Sequence, residues 1–96
     1  MESINTLEAE NQKLSIIIPV YNEHLTIEEI VKKVISVKIN NIEKEIIVID
    51  DGSKDETIKI LKEKIEPLVT KIIYKNKNEG KGAAIRDGIK FASGDF

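Results

Sequence analysis

Apolar residues along this chain follow two rhythms that alternate three times. Short apolar runs at Leu14 to Ile18, Ile46 to Ile49 and Val69 to Tyr74 read as strands. The middle run is four consecutive β-branched residues, a pattern that fits a strand buried on both faces better than a half-exposed one. After each run the spacing becomes helical. Ile27, Ile30, Val31, Val34 and Ile35 fall on one face behind Thr26 and Glu29, which read as a capping box. Ile58, Leu61 and Ile65 predict a buried stripe on a helix from about Asp55 to Ile65, with Pro67 just past its end. A third helix is expected from Gly82 or Ala83, with Ile85, Gly88, Ile89 and Ala92 facing inward. Pro19 lacks a backbone donor and is expected to close the first strand. The second runs into Asp50 and Asp51, where Gly52 permits a tight turn and Ser53 with Glu56 reads as the cap of the next helix.

The order β-α-β-α-β-α predicts an α/β fold built on a parallel sheet with right-handed crossovers. Met1 to Lys13 is a polar lead-in with weak patterning, so the folded part is expected to be 14–96. Ser93 to Phe96 looks like the exit from the third helix into a further strand. Three parallel strands leave edges that are normally covered or extended, so the chain reads as the N-terminal piece of a larger domain, weakly stable or self-associating alone.

Composition narrows the chemistry. The 96 residues carry a formal charge of -2, which offers no electrostatic argument for nucleic acid or an anionic membrane. Without cysteine there is no disulfide, thiolate ligand or thiol nucleophile, and the single histidine, His24, excludes a multi-histidine metal site. No apolar run approaches the roughly 20 residues needed to span a bilayer, and no leader pattern is present, so the expected location is the cytoplasm.

Parallel strands place the three loops that follow them on one rim, where ligands of open α/β sheets bind. The first loop contributes Pro19, Tyr21, Asn22 and Glu23, the second Asp50 and Asp51, and the third Asn78, Gly80, Lys81 and Gly82. An aromatic surface, carboxylates, glycine-lined backbone and a cation together suit a nucleotide. Each set alone has a plainer reading. Asp-Asp-Gly-Ser is also an ordinary capped turn, Tyr21 a packed ring, His24 a loop histidine, and Arg86 with Asp87 solvated helix surface. Other nucleotide signatures fail: no G-x-G-x-x-G follows the first strand, and Gly80-Lys81 lacks the remaining residues of a P-loop. A phosphoacceptor receiver domain is disfavoured, because the acid pair follows the second strand and the third ends in Lys75 and Asn76.

Three stretches carry a more specific likeness. Ser15-Ile16-Ile17-Ile18-Pro19-Val20-Tyr21-Asn22-Glu23, Ile47-Val48-Ile49-Asp50-Asp51-Gly52-Ser53 and Asn78-Glu79-Gly80-Lys81-Gly82-Ala83-Ala84 resemble, in order and spacing, the opening of family-2 glycosyltransferases, most of all the dolichyl- and polyprenyl-phosphate mannose and glucose synthases. The resemblance implies the Rossmann-like, nucleotide-binding half of a GT-A fold, truncated here, that takes a GDP- or UDP-linked sugar. It implies that Pro19, Tyr21 and Glu23 line the nucleotide pocket, Asp51 holds the base and Asp50 supports that loop. Lys81 would lie near base or phosphates, with Gly80 and Gly82 allowing close approach. The family's Mg²⁺ or Mn²⁺ ligands would follow Gly94-Asp95-Phe96, so no metal ligand and no catalytic residue is assigned within these residues. The implied activity is hexosyl transfer to an acceptor such as a polyprenyl phosphate, by a full-length form peripheral to the membrane. The 96 residues alone are expected to be inactive. The alternative is a non-catalytic nucleotide-binding or interaction module.

Overall fold

The computed structural model describes residues 12–96. Strand β1 (Gln12–Val20), helix α1 (Ile27–Ser36), strand β2 (Ile42–Asp50), helix α2 (Thr57–Ile60), strand β3 (Lys71–Tyr74) and helix α3 (Lys81–Phe91) follow one another in the expected alternation. Helix α2 continues through a π-type turn at Leu61–Ile65 and a 3-10 turn at Glu66–Leu68. The sheet is parallel, in the order β1-β2-β3. Of the expected lead-in, residues 1–11 lie outside the described residues, while Gln12 and Lys13 already belong to β1.

Burial explains the unbroken apolar run of β2. Ile46 and Val48 join Val20, Ile27, Val31, Leu61 and Ile65 on the face covered by α1 and α2. Ile47 and Ile49 pack with Ala84 of α3, together with Ile17 and Ile73, on the other. A central strand clothed on both sides has no polar face, hence no alternation.

Several local expectations are corrected. Pro19 does not close β1; it sits within the strand opposite Ile49, with Val20 beyond it. Val20 O accepts from Asp51 N (2.8 Å), whereas the backbones of Lys13 and Ser15 bond outward, to Asp95 and Phe96. Pro19 shares the outward parity of Lys13 and Ser15, so its missing donor faces away from β2 and interrupts nothing there. Ile30 and Ile35 of α1 are exposed, leaving Ile27 and Val31 as its buried residues. Helix α3 likewise buries Ala84 and Gly88 rather than Ile85 and Ile89, because it lies against Ile17 too closely for larger side chains. Pro67 falls past Ile65 as expected, within a closing 3-10 turn.

Neither capping box forms. The Thr26 hydroxyl donates to Glu23 Oε1 (2.9 Å), and Ser53 precedes the start of α2 by too much to cap it. The N–H of Thr57 bonds instead to Asp55 Oδ1 (2.8 Å). The exit of α3 is tied down by one carboxylate. Glu45 accepts from Ser15 Oγ (2.6 Å), Ser93 N (2.8 Å) and Ser93 Oγ (2.8 Å). Those donors hold its acid well below the usual range, at about 2, with the Ser15 hydroxyl contributing most.

Candidate functional site

At the carboxyl ends of the strands the backbone ladder runs on into the loops, with Lys75 N donating to Asp50 O (2.8 Å) as Asp51 N does to Val20 O. This pulls all three loops to one rim. There, Pro19, Val20, Tyr21, Glu23, Asp51, Asn78, Gly80 and Lys81 enclose a cleft of about 240 Å³. Of the residues singled out from sequence, Pro19, Tyr21, Glu23, Asp51, Gly80 and Lys81 are therefore brought together. Asp50 and Gly82 do not line it. The Asp50 side chain is fully buried, and its Oδ2 accepts from Ser53 N (3.2 Å), which places it under the second loop. Its Oδ1 is buried without a hydrogen-bond partner among the described residues. Gly82 lies in the first turn of α3 with only the Arg86 side chain nearby.

The second loop holds the other two. Asp51, almost wholly buried, accepts from Glu79 N through Oδ1 (3.1 Å) and from Gly80 N through Oδ2 (2.9 Å), fastening the third loop to the end of β2. Ser53 Oγ accepts from Asn22 N (2.9 Å), and Asn22 Oδ1 accepts from Lys54 N (2.9 Å), fastening the first. Asn22 adopts a positive φ of 51°, a conformation that asparagine tolerates better than most residues. His24 Nδ1 and Asp55 Oδ2 add a further link at 2.8 Å. Gly52, at φ +80°, is where the second loop meets the third: a Cβ there would lie 2.5 Å from Lys77 C and 2.6 Å from Asn78 N.

A carboxylate offers about four acceptor positions, so Asp51 retains capacity for a ligand donor beyond the two amides it already binds. Tyr21, 41% exposed, stands at the mouth as a ring available for stacking. Lys81 supplies a cation and Glu23 a second carboxylate. Three features differ from the reading of the sequence. Val20 lines the cleft because β1 continues past Pro19. Lys75 pairs with Glu79 (2.6 Å), Asp87 (2.7 Å) and Asp51 (3.7 Å), so Asp87 is not simply solvated surface. The His24 to Asp55 link joins residues on different loops. A position directly after β3, equivalent to that of Asp51 after β2, was the signal for Lys75.

Among the described residues no three His, Cys, Asp or Glu side chains are arranged to hold a metal ion. Asp50 is turned inward and Asp51 is bonded to two amides, an arrangement that suits loop support and a ligand donor rather than a divalent cation, whose ligands the sequence likeness expects after Phe96. No helix of the described residues is long and apolar enough to cross a membrane.

The profile of glycosyl transferase family 2 matches residues 15–96. The chain is 39% identical over 96 residues to the undecaprenyl-phosphate 4-deoxy-4-formamido-L-arabinose transferase of Proteus mirabilis, covering 97% of this chain and 29% of that protein. It is 36% identical over 83 residues to the dolichol-phosphate mannosyltransferase of Pyrococcus furiosus, covering 86% and 23%. With the dolichyl-phosphate beta-glucosyltransferase of Dictyostelium discoideum it shares 34% over 96 residues, covering 91% and 29%. The chain thus spans less than a third of the length of each of these relatives.

Proposed function

The chain belongs to glycosyl transferase family 2, and from that premise we propose that it forms the nucleotide-binding part of an enzyme that moves a hexose from a nucleoside-diphosphate sugar, GDP- or UDP-linked, to an acceptor. Polyprenyl phosphate is the acceptor named in the relatives, and a cytoplasmic protein that meets its acceptor at the membrane surface fits this reading. The observation that carries the proposal is the convergence of Tyr21, Asp51 and Lys81 on one cleft. In the proposed complex the Tyr21 ring covers the base, Asp51 accepts from base N–H groups, and Lys81 offsets charge on the diphosphate.

The cleft is at the small end for a ligand pocket, of the size to take a base with part of its ribose rather than a whole donor. Cleavage of the bond from the anomeric carbon to phosphate builds negative charge on the departing diphosphate, which a bound divalent cation or fixed cations must stabilise. The residues here bind and orient the nucleotide; none is placed to attack or protonate the sugar, and no catalytic role is given to them.

Calorimetric titration with GDP and UDP, each with and without Mn²⁺, tests the proposal. Saturable binding of one nucleotide in preference to the other is expected, and Asp51→Ala is expected to weaken it by roughly 1–3 kcal/mol through loss of a buried acceptor. Unchanged affinity in that variant would return Asp51 to the role of a turn residue. Binding of neither nucleotide would end the proposal.

A further inference from the structure

Lys75 stands behind the cleft wall. Its ammonium side chain is only 11% exposed and lies within 4 Å of three carboxylates from three different elements: Asp51 at the end of β2, Glu79 in the third loop and Asp87 on α3. Its own N–H is fixed to Asp50 O. Lys75 does not line the cleft, yet Asp51 does, and so do Asn78 and Gly80 on either side of Glu79. One cation therefore ties together the acceptor on the cleft floor, the loop that forms one wall, and the helix behind that wall.

We propose that Lys75 is a positioning residue for base recognition, holding the Asp51 carboxylate and the Asn78 to Lys81 wall in the single arrangement that discriminates between nucleobases. The inference rests on the nucleoside-diphosphate reading of the cleft. Its physical basis is charge. Without the ammonium, three carboxylates gathered around one point would repel one another in a partly desolvated setting. Lys90, whose Nζ is 3.9 Å from Asp87 Oδ1, and Arg86 would still act on Asp87, but both are exposed to solvent. The easiest relief is for the third loop to swing outward, away from Asp51. The bonds from Glu79 N and Gly80 N would then be lost, and the Asp51 carboxylate would be free to turn. Asp87 and Glu79, in that order, hold the Lys75 ammonium above its ordinary pKa, so the clamp is charged throughout the neutral range.

The distinguishing readout is selectivity, since general loosening weakens every nucleotide alike. In titrations of the protein and of its Lys75→Met variant with GDP and UDP, the preferred nucleotide is expected to lose about tenfold or more in affinity and the other distinctly less, so their ratio falls toward one. Lys75→Arg, which keeps the charge, is expected to restore most of the ratio. If thermal melts show Lys75→Met to be unfolded, Lys75→Gln provides the same comparison with a donor retained but the charge gone. An unchanged ratio in a folded, uncharged variant overturns the role of Lys75, as does a failure of Lys75→Arg to recover it. Absence of nucleotide binding by the unsubstituted protein defeats the underlying functional reading instead, so the two failures are told apart.

Discussion

Gly52→Ala tests how the cleft is closed. The residue adopts φ +80°, where an L side chain costs about 1–2 kcal/mol. A Cβ there would also sit 2.5, 2.6 and 2.9 Å from Lys77 C, Asn78 N and Lys77 Cα. These are backbone atoms that cannot rotate aside, so the third loop must move, at a further cost of about 1–3 kcal/mol. Gly80 provides the internal comparison, because it has φ +98° but a methyl group added to it would meet nothing within 4 Å, so Gly80→Ala carries the conformational strain alone. Urea denaturation should therefore rank the proteins as unsubstituted, Gly80→Ala, Gly52→Ala. The two variants should be separated by about 0.5–2 M at an m-value of about 1.5 kcal/mol/M. Nucleotide affinity should follow the clash, since Asn78, Gly80 and Lys81 would be displaced from the wall in Gly52→Ala. Equal midpoints for the two variants, or a Gly52→Ala protein within about 0.5 kcal/mol of the parent, would refute the close approach of the second and third loops.

Two further substitutions probe the supports of the fold, one at the exit of α3 and one in the second loop. Glu45→Gln should destabilise the fold by about 1–3 kcal/mol near neutral pH by replacing a charged acceptor of three hydrogen bonds. The Glu45 pKa is lowered in the folded chain, from 4.5 to about 2. Its contribution is thus complete above the unfolded value and disappears as pH falls through the folded one, and denaturation curves across that range should converge for parent and variant. A gap that persists unchanged in acid would contradict this origin. Ser53→Ala removes the acceptor of the Asn22 N–H and should cost about 1 kcal/mol. Amide hydrogen exchange should quicken at Asn22 ahead of the sheet, and equal protection in the two proteins would mean that the first loop is held by something else.

The architecture is legible in the sequence because it depends on patterns that burial enforces. Ile46 to Ile49 can be read as a two-sided strand since nothing else accommodates four β-branched residues in a row so well, and its acidic end then locates the rim. Capping is not legible, for an equally physical reason. Thr26 with Glu29 and Ser53 with Glu56 have the right spacing, but a hydroxyl takes whichever partner is nearest: the preceding loop offers Glu23 to one, and tertiary structure offers the Asn22 amide to the other. Helix faces are blurred by the same limit. Ile85 and Ile89 outrank Ala84 and Gly88 in hydrophobicity, yet the separation of α3 from β1 decides which residues fit between them, and no local pattern encodes that distance. Of the acids around Lys75 only Glu79, four residues on, is near it in sequence; Asp51 and Asp87 are 24 and 12 residues away, and folding alone brings them to it.

The position of the cleft follows from a change of direction in the chain. Helices α1 and α2 share one face of the sheet, and α3 lies on the other. Consistent with that switch, Phe96 does not continue beyond β3. It returns to the free edge of β1, where its N–H bonds to Lys13 O (3.3 Å) and its carbonyl accepts from Ser15 N (2.7 Å), the pattern of a parallel bridge opposite Leu14. The loop after β1 leads to α1 on one face of the sheet and the loop after β3 leads to α3 on the other, so these two loops diverge at the carboxyl end of the sheet. A crevice opens at such a point in open α/β sheets. Here it opens between Pro19 to Glu23 and Asn78 to Lys81, with Asp51 on the floor. Asp51 fastens the third loop through the amides of Glu79 and Gly80 while still lining the cleft, and Ser53 fastens the first through the amide of Asn22, so the second loop sets the width between the other two.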